Sequence, residues 1–340
     1  VRGPIPTGVY GGRVSPRRGL GPALLVATIA LTVLARIPMA SEPGPLPDFD
    51  AMWDFDHPDS TEAAFRALLP AARASGDRDY LAQLLTQVAR TQGLQMKFDE
   101  AARTLGEAES LITDDMKVAR VRLLLERGRV LNSSKRREES KPLFRSAWER
   151  AQEAHAGGFA VDAAHMMGIV ETGDSSVQWN RTAIDFAEKS SDPKARRWLG
   201  SLYNNLGWTY HEKGEYAAAL DLFQKALAAR EAEGKRPLIR IANWCVARTL
   251  RSLGRTEEAL AMQERLLAEL TAEGGVDGYV HEEMAECLLA LGRASEAKPH
   301  FAAAYRALSE DEWLRRDEAD RLERLRRLGG VDAPKSPAPK

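Results

Sequence analysis

The sequence predicts an all-α protein, an α-solenoid of stacked helical hairpins. Three observations lead there. From residue 80 onward Ala, Leu, Glu and Arg dominate and no period-two alternation occurs, which favours helix over strand. Gly recurs between amphipathic segments, as at Gly214, Gly254 and Gly292. The same pattern returns at intervals of 38 to 40 residues, and a fixed period of this size marks a repeat array rather than a generic bundle.

Composition narrows the function classes. The 340 residues are 44% apolar and 29% charged, enough for a core and against wholesale disorder. Lys plus Arg number 48 and Asp plus Glu 49, a net charge of −1 that argues against nucleic acid held by bulk charge. Two cysteines, Cys245 and Cys287, exclude a disulfide framework and a four-cysteine zinc site.

Residues 1–47 are a different polypeptide from the rest. They hold seven of the 26 Gly and eight of the 17 Pro, and five Arg against the single acid Glu42. An uncharged run, 19–35, is marginal in length for a hydrocarbon core of about 30 Å. It reads as a signal peptide, as an uncleaved anchor, or as sequence upstream of a start at Met39. The last reading implies a cytoplasmic protein; the others imply export or an inner-membrane anchor through 19–35. Residues 48–79 form a linker and an N-terminal capping helix. Asp59-Ser60-Thr61-Glu62 has capping-box spacing, Phe65, Leu68 and Leu69 follow, and Pro70 is expected to kink that helix.

Residues 80–308 divide into six units starting near 82, 121, 161, 200, 240 and 278. The eighth position is small in all six: Ala89, Gly128, Gly168, Gly207, Ala247 and Ala285. The twenty-seventh is Ala108, Ala147, Ala187, Ala226, Leu266 and Ala304. Large apolar residues such as Phe144, Ile184, Phe223 and Phe301 stand at the twenty-fourth. Antiparallel helices pack closely only where small residues lie at the crossing and large neighbours fill the grooves.

This pattern resembles the tetratricopeptide repeat family. Tyr203, Leu206-Gly207, Tyr210, Gly214, Ala219, Phe223 and Ala226 stand at the family's signature spacing. The units exceed the family's usual length of about 34 residues. The proline that customarily closes each repeat is mostly missing, though Pro193 and Pro237 lie near two junctions. Units this long are similar to those of kinesin light chains and bacterial peptide-sensing regulators. The resemblance implies a right-handed superhelix with a concave, peptide-binding face.

A repeat array exposes an apolar face at each end and needs caps. A charged C-terminal capping helix is expected over 309–328, with Leu314, Leu322, Leu325 and Leu328 among its apolar members and Gly329-Gly330 as its stop. Residues 329–340 are expected to be a disordered tail.

No catalytic signature is present: no phosphate loop, no G-x-S-x-G elbow, and no second His after His281-Glu282. Asp48, Asp50, Asp54 and Asp56 lack the Gly and closing Glu of a calcium loop, so they read as an acidic linker with Trp53 and Phe55 packing on the first helix. The expectation is therefore a non-enzymatic scaffold without cofactor or metal.

The face that the family uses for binding is lined by positions 2, 5, 9, 12 and 13 of each first helix. Carried onto this sequence, those positions give Arg90, Arg129, His165, Asn204, Trp208, His211, Trp244, Arg248, Arg251 and Tyr279 as a candidate groove. Two readings fit them. In one, the tryptophans belong to the core and the arginines to a solvated surface. In the other, the tryptophans hold an apolar anchor and the arginines grip a carboxylate, for which their planar fork is suited. The family's carboxylate clamp wants Lys and Asn, and only Asn204 and Asn205 come close. The expected partner is a protein or peptide with acidic groups, bound as an extended segment or a helix. Nucleic acid is not expected, and membrane contact is expected only through 19–35. A sensor of a small signalling peptide and an assembly factor for an enzyme are the alternatives.

Overall fold

The computed structural model describes residues 45–332, so the 19–35 run, the start at Met39 and most of the C-terminal tail lie outside the described residues. All regular structure among the described residues is helical. After a 3-10 turn at Phe49–Met52 come α1 (Pro58–Ala74), α2 (Arg78–Leu94), α3 (Phe98–Leu111), α4 (Lys117–Ser133), α5 (Arg137–Glu153) and α6 (Gly157–Val170). They continue with α7 (Gly173–Lys189), the single turn α8 (Pro193–Arg196), α9 (Leu199–Glu212), α10 (Tyr216–Glu233), α11 (Arg236–Ser252) and α12 (Thr256–Ala272). The chain ends with α13 (Gly278–Ala290), α14 (Ala294–Leu308), α15 (Glu312–Asp317) and α16 (Ala319–Gly329). No described helix is long and apolar enough to cross a membrane.

The chain forms two compact units that divide between Glu171 and Thr172. In the first, α1 packs on α2, α2 on α3 and α4, and α5 on α4 and α6. In the second, α7 packs on α9, α9 on α10, α10 on α11, α11 on α12, α12 on α13, and α13 on α14. The division falls inside the third predicted unit, between its two helices.

Turn chemistry explains how each pair closes. The backbone N–H of Glu215 donates to the carbonyl of Tyr210 and that of Gly214 to His211, a Schellman closure with Gly214 at φ +79°. Arg255 and Arg293 repeat it on Leu250 and Leu288. In the first unit Met96 and Lys135 hold the left-handed position, at φ +60° and +66°.

The small positions do what their period implied. Ala89, Gly128, Gly168, Gly207, Ala247 and Ala285 are all buried. A Cβ on Gly128 would lie 2.4 Å from the Phe144 ring, and one on Gly207 would lie 2.8 Å from Phe223. In these two units the eighth position is the seat of the twenty-fourth.

The ends differ in detail from expectation. Helix α1 runs through Pro70 without ending. The C-terminal cap is two helices rather than one, broken at Glu318 (φ −129°, ψ 33°). Asp311 caps α15 by accepting from the Trp313 and Leu314 amides, and α16, beyond the break, lies on α14. Trp53 packs edge-on against Phe65 of α1 at 5.2 Å, as expected, and Phe55 stacks on Trp53 rather than on α1.

Candidate functional site

The ten candidate residues all lie on first helices, and they fall into two groups, one in each unit. The first group is Arg90 on α2, Arg129 on α4 and His165 on α6. Arg90 donates to both Glu126 oxygens at 3.2 and 3.3 Å. Arg129 donates to Glu126 and to both oxygens of Asp162. Two arginines and two carboxylates thus alternate across three helices. Burial alone would raise the Asp162 carboxyl, but Arg129 and Arg90 outweigh it and hold it below the ordinary aspartate value. Burial lowers the His165 imidazole below its ordinary value, against the pull of Asp162 one turn away. A cavity of about 180 Å³ adjoins the ladder, walled by Leu94, Val130 and Met166.

The second group is aromatic. Trp208 on α9 is buried, its ring centroid 5.1 Å from Phe223, 5.1 Å from His211 and 6.0 Å from Trp244. Trp244 on α11 is only partly buried; its indole N–H donates to the Tyr279 carbonyl at 3.1 Å, and its ring meets that of Tyr279 at 6.2 Å. Asn204 accepts from the Cys245 thiol at 3.4 Å. Burial pushes that thiol up to about 12, so it stays protonated.

Charge in this group is unequal. Arg251 makes a two-point pair with the buried Glu283, and Arg248 reaches the same carboxylate at 3.3 Å through Nε. Two guanidinium groups therefore share one carboxylate. The nearby Glu282 and Glu286 do not make up the deficit, because Arg321 and Arg324 of α16 bind them. His211 adds no charge. Burial, then Arg248 and Arg251, push it down to about 4, and its Nε2 lies 3.0 Å from Ser252 Oγ. The net result is one surplus positive charge, on Arg248, a turn along α11 from Trp244.

The structure thus separates residues the sequence left together. Trp208 belongs to the core, whereas Trp244 and Tyr279 reach the surface. Arg90, Arg129 and Arg251 are tied to their own chain's carboxylates. Sequence reasoning missed Glu126 and Glu283, although a signal exists. Each stands at the sixth position of the unit that follows one with Arg at its ninth, as Asp162 stands at the second. Among the described residues, no cluster of three or more His, Cys, Asp or Glu is placed to hold a metal.

Residues 171–232 match the tetratricopeptide repeat family. No curated protein matches the sequence. Among solved structures, the chain is similar to the apo form of RapI, with a TM-score of 0.65 and 12% identity over 82% of this chain and 78% of RapI. It is similar to a signal transduction ATPase with a tetratricopeptide repeat sensor from Pyrococcus horikoshii, with a TM-score of 0.61 and 13% identity over 76% of this chain. The match spans only 41% of that ATPase. Cut9–Hcn1, an APC/C hetero-tetramer, matches with a TM-score of 0.53 and 15% identity over 80% of this chain and 47% of the other. These identities speak to fold alone. The match to the tetratricopeptide repeat family thus covers residues 171–232, and the buried small positions continue the same helix-pair pattern on either side of it in a fold shared with these structures.

Proposed function

We propose that this chain is a non-catalytic scaffold that binds an extended peptide or a partner helix on the first-helix face of residues 172–332. An apolar anchor of the partner rests against Trp244 and Tyr279, and an acidic group meets Arg248. The single observation that carries this reading is the sharing of Glu283 by two arginines. One carboxylate balances only one of the two guanidinium groups, and Arg251 makes the two-point pair, so Arg248 keeps charge for a ligand, beside an aromatic surface. Arg90 and Arg129 are balanced by Glu126 and Asp162 and serve as staples between first helices.

The test is a random-peptide display selection on the whole chain. Enriched peptides should carry an acidic residue within a few positions of a large apolar one. Arg248→Gln and Trp244→Ala should each weaken their binding at least tenfold, about 1.4 kcal/mol, with helicity retained in both and melting unchanged in Arg248→Gln. Equal binding by Arg248→Gln would remove the arginine from the site. A selection that enriches no such peptide would overturn the reading.

A further inference from the structure

Residues 48–56, Asp-Phe-Asp-Ala-Met-Trp-Asp-Phe-Asp, lie on first-helix residues of the N-terminal unit as a bound peptide would. Both terminal nitrogens of Arg122 on α4 donate to the two oxygens of Asp50, one of them at 3.0 Å. The same guanidinium is sandwiched between Phe49, at 5.3 Å, and Phe159 of α6, at 4.7 Å. Four residues on, the Trp53 indole donates to Gln87 of α2 at 3.1 Å. Trp53 and Phe55 stack with centroids 4.5 Å apart and rings 6° from parallel, and the Arg90 guanidinium lies over both, at 5.7 and 5.6 Å. An acid on an arginine and an aromatic pair under a second arginine are thus held by two first helices, α2 and α4, with Phe159 of α6 backing the Arg122 guanidinium.

Phe49 belongs to the core, with Met52 and Trp53 packed against it, but two features set the rest of the segment apart as a docking contact. Asp48, Asp50, Asp54, Phe55 and Asp56 are exposed, so most of the segment faces water and only Phe49 is buried. Arg122 is 6% exposed, yet its Nε has no hydrogen-bond partner. The resident segment therefore leaves a buried donor of its own receptor unused, which is costly and which another acidic segment can satisfy.

We infer that the surface formed by Gln87, Arg90, Arg122 and Phe159 is a docking site for an acidic, aromatic peptide segment of a partner protein. Residues 48–56 are its tethered occupant, which a partner must displace. The tether gives the resident copy an effective concentration on the order of millimolar, so a free peptide competes poorly until that copy is weakened. This inference does not rest on the reading for residues 172–332 and fails separately from it.

The test uses the full chain and a fluorescent synthetic peptide of residues 47–57. Asp50→Asn/Trp53→Ala weakens the resident copy while leaving Phe49 against Phe65. Fluorescence anisotropy should give this variant at least tenfold tighter binding of the peptide than the unaltered chain. Adding Arg122→Gln should abolish the gain. Equal binding by the two chains, or none by the weakened chain, overturns the inference. A second readout needs no variant. Excess peptide added to the unaltered chain should speed amide hydrogen exchange at residues 49–56 and leave α9–α14 unchanged; unaltered exchange at 49–56 overturns it as well.

Discussion

The ring of Phe144 occupies the space that a Cβ on Gly128 would need: the nearest ring carbon would lie 2.4 Å away. Phe144 is fully buried, so neither partner can move without disturbing the α4–α5 pair. Gly128→Ala should therefore destabilise the first unit by ~1–3 kcal/mol, read as a lower urea midpoint. Gly106 is the control. It is exposed in α3 with nothing within 4 Å, and Gly106→Ala should stabilise by ~0.5–1 kcal/mol. Equal effects at the two sites would refute the packing argument.

Gln263 stands where Leu105, Phe144, Ile184, Phe223 and Phe301 stand in other units. It is fully buried, and neither its amide oxygen nor its nitrogen has a hydrogen-bond partner. Gln263→Leu keeps the size and removes both orphaned groups. It should stabilise the second unit by ~1–3 kcal/mol, measured by chemical denaturation. A lower midpoint would show that the amide is satisfied in solution.

Lys135 holds the left-handed turn position that Gly214, Gly254 and Gly292 hold elsewhere. A side chain there costs ~1–2 kcal/mol, offset by ~0.5–1 kcal/mol of chain entropy that glycine loses on folding. Lys135→Gly should raise stability by ~0.5–1 kcal/mol, and Met96→Gly should do the same. Thermal melting of the single and double variants checks both size and additivity.

Arg129 bridges Glu126 and Asp162, and all three side chains are largely buried. Arg129→Ala leaves Glu126 to Arg90 but strips the largely buried Asp162 of its arginine, and should cost ~3–5 kcal/mol. The Asp162 carboxyl titrates lower in the folded chain than in the unfolded one. Its contribution is therefore present above the unfolded value and lost as pH falls through the folded one, below pH ~4. Denaturation curves against pH should be flatter in that window for Asp162→Asn than for the unaltered chain.

The imidazole of His211 is also depressed, to about 4, by burial and by Arg248 and Arg251. For a base the depressed value means that the folded state favours the neutral ring. That stabilisation is present above the unfolded value of ~6.5 and lost as pH falls from there toward the folded value. Two-dimensional NMR should find His211 neutral at pH 6. In Arg248→Gln its titration should move upward, because one of the two cations is gone. No upward movement would separate Arg248 from His211.

The period, the helix pairs and the buried small positions were legible in the chain. Small residues at Gly128 and Gly207, sixteen positions before Phe144 and Phe223, leave few other ways to pack. The turn at Gly214 and the cap at Asp311 are likewise local, since their partners lie within six residues. The candidate site was legible only as a face. Which side chains are spent within the fold depends on how each helix is rotated against the next, and periodicity leaves a few tens of degrees undetermined. That rotation gives Arg129 to Asp162, 33 residues away, and Arg251 to Glu283, 32 residues away, while leaving Arg248 with surplus charge. It also buries Trp208, exposes one side of Trp244, and lays Asp50 on Arg122 across 72 residues of sequence. Local sequence fixes what a helix is made of and where it turns. Ion pairs and stacked rings fall off within a few ångströms, so only the tertiary arrangement decides which of them form.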